Sequence, residues 1–435
     1  MERYKEYKDS GVKWLGEIPS HWKLRKIFGL FSENKRKNTA FLYKHAMQFN
    51  YGTIVDKNEC FDTEETKEIY SNYSLINKGD IVINGLNLNY DFVSQRVAIS
   101  PKNGIITSAY VVISPKVEIN TFFYCYLFKN MDNMKIFHGM GTGVRKTLSY
   151  KELRNQEVIL PPLPEQDAIV RYLDSATSEL DKAIAMQQKM IDLLNERKQI
   201  IIQNAVTKGL DENVEMKESG VEWIGRIPKH WEVEPFGRHF TFGKGLPITK
   251  ANLQEEGIAV ISYGQIHAKN NLGTTLTESL VRYVSPTYIE THPQCLLKGN
   301  DFIFADTSED IEGSGNFAFN DFDNKIFAGY HTVVARPNDL LFPKYYAYLF
   351  KSKAWKSQIQ SLVNGVKVYS IGRRILKTSM LLIPSEDEQK NIVKFLDKQT
   401  SAIEKTIETI SRQITLLQER KQIIINEVVT GKVRV

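Results

Sequence analysis

The sequence predicts an α+β chain that repeats itself. Two globular, β-rich domains are each followed by a long α-helix, and the two helices pair as an antiparallel coiled coil about a pseudo-twofold axis. Three observations carry this expectation. Residues 165–206 recur without a gap as 388–429, the offset staying at 223 (388 minus 165) from Glu165 and Glu388 through to Lys198 and Lys421. Both stretches carry an apolar seam at helical spacing. A tryptophan motif at the start of the chain returns after the first stretch, at an offset of 209 (220 minus 11). The whole chain therefore reads as a tandem duplication, with domain boundaries at 1–163, 164–208, 209–385 and 386–435.

The opening motif runs Ser10, Gly11, Val12, Lys13, Trp14, Leu15, Gly16, Glu17, Ile18, Pro19, then His21 and Trp22. Its second copy runs Ser219, Gly220, Val221, Glu222, Trp223, Ile224, Gly225, Arg226, Ile227, Pro228, then His230 and Trp231. The tryptophans read as packing anchors that seat each domain against its helix base. His21 and His230 have no partner that points to catalysis and read as capping or packing residues.

Short apolar, β-branched runs follow and read as strands. Ile81, Val82 and Ile83 after Lys78–Gly79 answer to Phe302, Ile303 and Phe304 after Lys298–Gly299. Val111 and Val112 answer to Val333 and Val334. A shorter helix carries Tyr124, Tyr126, Leu127, Phe128 and Lys129 in one copy and Tyr346, Tyr348, Leu349, Phe350 and Lys351 in the other. The offset grows to 220 at Lys78 and Lys298 and to 222 at Pro115 and Pro337, so the length changes fall inside the globular domains. A shared framework with divergent loops points to two related binding modules with different targets.

The long stretches contain neither Pro nor Gly and are rich in good helix formers. Leu180, Ile184, Gln187, Ile191 and Leu194 form one seam; Ile403, Ile407, Ile410, Ile414 and Leu417 form the other. Steps of four and three are those of a and d positions in a coiled coil. Some forty residues make a rod of roughly 60 Å. A stripe of that length must be covered, and its twin is the economical cover.

With 435 residues, 42% of them hydrophobic and 25% charged, there is material for two or three cores. No run of eighteen apolar residues spans a membrane, and the polar start lacks a signal core. Cys60, Cys125 and Cys295 lack CxxC spacing and read as reduced thiols of a cytoplasmic protein, with no zinc site. A net charge of +6 suits a nucleic-acid partner.

No catalytic constellation stands out. Gly139, Gly141 and Gly143 follow a helical segment, and the second copy keeps only Gly365 beside Asn364, so a cofactor loop is not indicated. Glu196 with Lys198, and Glu419 with Lys421, resemble a nuclease tail but lie inside a helical heptad. Recognition remains. Arg145 and Lys146, beside Thr142, and Lys367 in the second copy put cations next to a glycine turn, an arrangement suited to phosphate. Asn84, Asn87, Asn89 and Arg96 follow the first lysine–glycine strand; Thr307, Ser308, Ser314 and Asn316 follow the second. Asn can pair with adenine, and Ser or Thr with any base edge. Earlier loops add Lys35, Arg36, Lys37 and Tyr51, and Lys244, Tyr263 and Gln265, as DNA-contact candidates.

On these motifs the chain resembles the specificity subunit of type I restriction–modification systems along essentially its whole length. The resemblance rests on the tryptophan–isoleucine–proline repeat, the lysine–glycine strands, Glu165–Gln166 and Glu388–Gln389, and the glutamate–arginine–lysine triplets near the helix ends. It implies two target recognition domains, each reading half of a bipartite asymmetric site in double-stranded DNA, with the helices as a ruler. It also implies no catalysis and no cofactor in this chain. Two methyltransferase subunits using S-adenosylmethionine would bind along the helices, and motor-nuclease subunits would complete the restriction enzyme. Pro162 becoming Ser385 and the polar Gln187 in the seam are the departures. The alternative is a duplicated DNA-binding regulator that acts without enzyme partners.

Overall fold

The computed structural model describes residues 2–57, 63–322, 325–338, 342–363, 365 and 368–435; Cys60, Asn364 and Lys367 lie outside them. The chain forms two compact units, Met1–Gln188 with Ser411–Val435, and Lys189–Ile410. Each contains part of both long helices, Leu163–Lys208 and Glu386–Val429.

In the first unit Tyr7–Asp9 pairs with Glu17–Pro19, and Lys23–Lys26 pairs with Glu157–Leu160, the strand leading into the first long helix. The main sheet is antiparallel, in the order Phe31–Glu33, Val111–Pro115, Ile81–Ile83, Val97–Ile99. Its central run is apolar throughout because both faces are covered. Ile81 and Ile83 join Phe123, Phe128 and the rest of the main core, whereas Val82 packs with Ala98 and Val112 in a smaller cluster. The helix Thr121–Asn133 starts on Asn120, whose side chain accepts from the backbone N–H groups of Phe122 and Phe123.

The second unit repeats the plan. Met216–Glu218 pairs with Arg226–Pro228, and Glu232–Pro235 with Met380–Ile383. The main sheet runs Phe240–Lys244, Thr332–Pro337, Phe302–Ala305, Phe317–Phe319, again antiparallel. Phe236, Phe240, Phe302, Phe350 and Trp355 fill its core against the helix Pro343–Lys351. Divergence is confined to the outer parts. The second unit adds the three-stranded sheet Arg282–Val284, Ile258–Ile261, Ile326–Ala328; the first has the hairpin of Met47–Asn50 and Thr53–Asp56.

The repeat extends to hydrogen bonds at the helix bases. Trp22 Nε1 donates to Glu165 at 2.9 Å and Trp231 Nε1 to Glu388 at 3.1 Å, with His21 and His230 on the same carboxylates. Burial pushes both carboxyls up, but the Trp and His hydrogen bonds outweigh it and hold them below their ordinary values. Gln166 accepts from Asn120 N and donates to the Pro161 carbonyl; Gln389 accepts from Phe342 N and donates to the Pro384 carbonyl. Tyr126 donates to Asp174 and Tyr348 to Asp397, both at 2.7 Å. Trp22 and Trp231 are fully buried, as anchors should be, and Trp14 packs partly buried against the first core, but Trp223 is 47% exposed and does not act as an anchor; truncating Trp22 or Trp231 to Ala costs about 3–5 kcal/mol.

The helices run antiparallel. In the first unit Asp181 meets Lys421 at 2.7 Å and Gln187 meets Gln413 at 3.3 Å, one number rising as the other falls. In the second, Lys198 meets Glu404 at 3.5 Å. Ile403 is buried and the other nine seam residues are half-buried, while their sequence neighbours are almost all exposed. Among the described residues no helix is long and apolar enough to cross a membrane, and no His/Cys/Asp/Glu group could hold a metal ion. Cys125 and Cys295 are buried free thiols.

Candidate nucleic-acid interface

In the first unit, two loops at the end of the main sheet are tied together. Leu88 N donates to the Lys146 carbonyl at 3.0 Å, Leu148 N to the Gly85 carbonyl at 2.9 Å, and Asn89 Nδ2 to the Val144 carbonyl at 3.3 Å. Gly85 permits that approach, because a Cβ there would stand 2.2 Å from the Leu148 oxygen. Asn87, Asn89, Thr142, Arg145 and Lys146 thereby share one surface, and all but the half-buried Asn89 are exposed. Lys146 and Asn87 have left-handed backbones, with φ of 39° and 53°. Such tight turns leave their side chains outermost.

Arg96, expected at the DNA surface, is only 2% exposed. Its guanidinium donates to the carbonyls of Leu86 and Asp91, each at 2.7 Å, and of Asn84 at 3.2 Å, so it shapes the loop from within. Asn84 is half-buried and its Oδ1 accepts from Leu86 N at 3.2 Å, again within the loop. The neighbouring Gln95 donates to Asp132 and lies under the turn at Gly52, where a Cβ would come within 2.6 Å of Gln95 Cγ. That places the hairpin tip, with Tyr51 at 81% exposure, against the base of the same loop. Lys35, Arg36 and Lys37 are exposed on a separate extended segment after Phe31–Glu33. Lys35 pairs with Glu33 at 2.9 Å, Arg36 Nε donates to Asn34, and Lys37 donates to Ser108.

In the second unit a cavity of about 770 Å³ collects Tyr263, Thr307, Ser308 and Asn316. His267, Asp310, His331 and Lys356 line it as well, and sequence reasoning missed all four. They come from segments far apart in the chain, and no motif announces them; the cluster of Lys351, Lys353 and Lys356 was the available signal. A directional chain of hydrogen bonds crosses the wall. Lys356 Nζ donates to Asn316 Oδ1 at 2.6 Å, and Asn316 Nδ2 lies 3.2 Å from His267 Nδ1. His267 Nε2 lies 2.9 Å from the Thr307 carbonyl. A carbonyl can only accept, so neutral His267 carries its proton on Nε2 and accepts at Nδ1. Asn316 is thus held with one amide N–H to spare. With the Thr307 and Ser308 hydroxyls and the Asp310 carboxylate, the wall offers both donors and acceptors, the set a base edge requires.

Other candidates lie apart from this cavity. Ser314 is fully buried, and its hydroxyl has no hydrogen-bond partner among the described residues. Gln265 spends its side-chain oxygen on Ser262 N, capping the short helix Tyr263–Ile266. Lys244 is exposed at the end of its strand.

The type I restriction modification DNA specificity domain matches this chain twice, over residues 19–190 and 228–415. The type I restriction enzyme MjaVIII specificity subunit of Methanocaldococcus jannaschii is 25% identical over 443 residues, covering 100% of this chain and 98% of that protein. A chain solved in work on complex assembly and conformational transition of the type I R-M system superposes with a TM-score of 0.71 at 15% identity, covering 96% of this chain and 99% of that one. The crystal structure of the HsdS subunit from Thermoanaerobacter tengcongensis gives 0.50 at 15% identity, covering 98% and 100%. With a duplicated framework, unlike outer loops and the family's pattern matched in both halves, the chain belongs to the type I restriction–modification DNA specificity family, the non-catalytic component that recognises the DNA sequence.

Proposed function

We propose that the chain reads a bipartite, asymmetric site in double-stranded DNA, with residues 1–163 and 209–385 as recognition domains and 164–208 and 386–435 as the spacer. One observation carries this reading: matching Trp, His, Gln and Tyr hydrogen bonds in the two frameworks support two chemically different loop surfaces. In the first domain Asn87, Asn89, Thr142, Arg145 and Lys146 would contact DNA, with Tyr51 beside them and Lys35, Arg36 and Lys37 on phosphates. In the second, Tyr263, Thr307, Ser308 and Asn316 would read bases, with Lys244 and Lys367 on phosphates.

Two methyltransferase subunits, which would hold S-adenosylmethionine, and motor-nuclease subunits are the expected partners. Support for helix-bound partners comes from a second apolar stripe on the first long helix. Met186, Met190, Leu193 and Ile200 recur at steps of four, three and seven and are about half or more exposed. The spacer idea has a direct test. Inserting one heptad into both helices lengthens each by roughly 10 Å. The gap between half-sites should then grow while their sequences stay the same. Methylome sequencing reads both quantities, and an unchanged gap rejects the ruler.

A further inference from the structure

Beside the cavity of the second unit lies a smaller one of about 400 Å³, and the two share Asn316 and Lys356. Lys351, Lys353 and Lys356 reach it, together with the amides of Gln199, Asn271 and Gln360, and no carboxylate is among its lining residues. Lys351 ends the helix Pro343–Lys351 and donates to the Leu272 carbonyl. Lys356 donates to Asn316. An ammonium has three N–H groups, so both keep donors for a further acceptor.

The charge here is poorly compensated. Burial, aided by Lys198, brings Lys351 down to about 8, and burial lowers Lys356 as well; Glu404 and Asp310 act the other way on the two lysines but only partly offset it. The nearby Lys198 is itself engaged by Glu404. The helix Lys353–Gln360 has no acid in its first turn and begins with Lys353, where the helix dipole disfavours a cation. Cations gathered partly out of water without an anion cost free energy that a bound anion would return.

We propose that this lysine pocket binds a phosphate group, with Lys351, Lys353 and Lys356 as the charged donors and the Gln199 and Gln360 amides completing the shell. As a contact to the DNA backbone it rests on the recognition reading above; as a phosphate site it does not. Three ammonium donors suit a phosphate, and the shared Asn316–Lys356 wall would set that phosphate beside the bases being read.

The test uses the full chain with ¹⁵N-labelled lysines, titrated with inorganic phosphate and followed by NMR of the side-chain nitrogens. Phosphate should shift Lys351 and Lys356 together and raise the pH at which Lys351 titrates. The exposed Lys353→Gln should weaken this binding about tenfold, the loss of one charge-assisted contact. Lysine signals indifferent to phosphate would overturn the proposal, and because that measurement needs no variant it holds even if a substitution at Lys351 fails to fold.

The source of the phosphate is read in a second arm, with the chain and its methyltransferase partner bound to duplex DNA over a range of salt. If the phosphate is DNA's, Lys353→Gln lowers the steepness of log K against log salt by about one. If it belongs to a free nucleotide, the slope stays put and ATP shifts the same lysines. Phosphate binding without DNA binding would sink the recognition reading and leave the pocket standing; the reverse result would do the opposite.

Discussion

Arg96 exchanges water for carbonyl oxygens, and the loop around it takes its shape from that exchange. Replacing it with Met would keep the packing volume and strand the carbonyls of Asn84, Leu86 and Asp91. We expect a loss of about 3 kcal/mol by urea denaturation and weakened discrimination at one half-site only; equal damage to both half-sites would contradict it. Glu165 makes the complementary case for acid. Its folded carboxyl titrates below the ordinary value, so its stabilisation is present above that value and is lost as pH falls through the lower folded one. Glu165→Gln should therefore be less stable at neutral pH and show a shallower decline in Tm on acidification. Parallel curves for the two proteins would remove Glu165 from the account. At this scale the sequence revealed which residues recur, not what they touch. Arg96 looks like any surface cation, because its burial depends on a loop folding back on itself. His267 and Asn316, 49 positions apart, meet only through the tertiary fold.

The elements were far more legible. The long helices end within a few residues of the repeated stretch, because that stretch holds only residues that continue a helix. The central strands showed as apolar runs because both faces of their sheet are covered. The sheet of Arg282–Val284, Ile258–Ile261 and Ile326–Ala328 was harder to read although two of its strands are also apolar runs: it lies where the copies diverge, so one copy could not guide the reading of the other. Within the coiled coil, Gln187 meets Gln413, while its own Oε1 is buried without a partner among the described residues. Gln187→Leu should raise stability by about 1 kcal/mol, a few degrees in Tm, at the expense of a polar contact that favours one register. Calorimetry checks the first effect, and a fall in Tm would mean that the amide pair holds the helices more strongly than its geometry implies.

Across the whole chain, the two cores exchange ends. Ile425, Val428 and Val429 from the last turns of the second helix complete the first core. Ile202, Ala205 and Val206 from the first helix complete the second. These trios are repeat equivalents, each pair 223 positions apart. A fragment of residues 1–208 would therefore carry a socket and also the plug that fits another copy's socket. Two such fragments should associate tail to socket, which sedimentation would show as a dimer, and a monomeric fragment with a fully protected core would refute it. Such a pair would have two like heads and so would favour an interrupted palindrome. Joining the copies in one polypeptide frees each head to drift separately, so new target sites can arise by altering one half while the stem stays untouched.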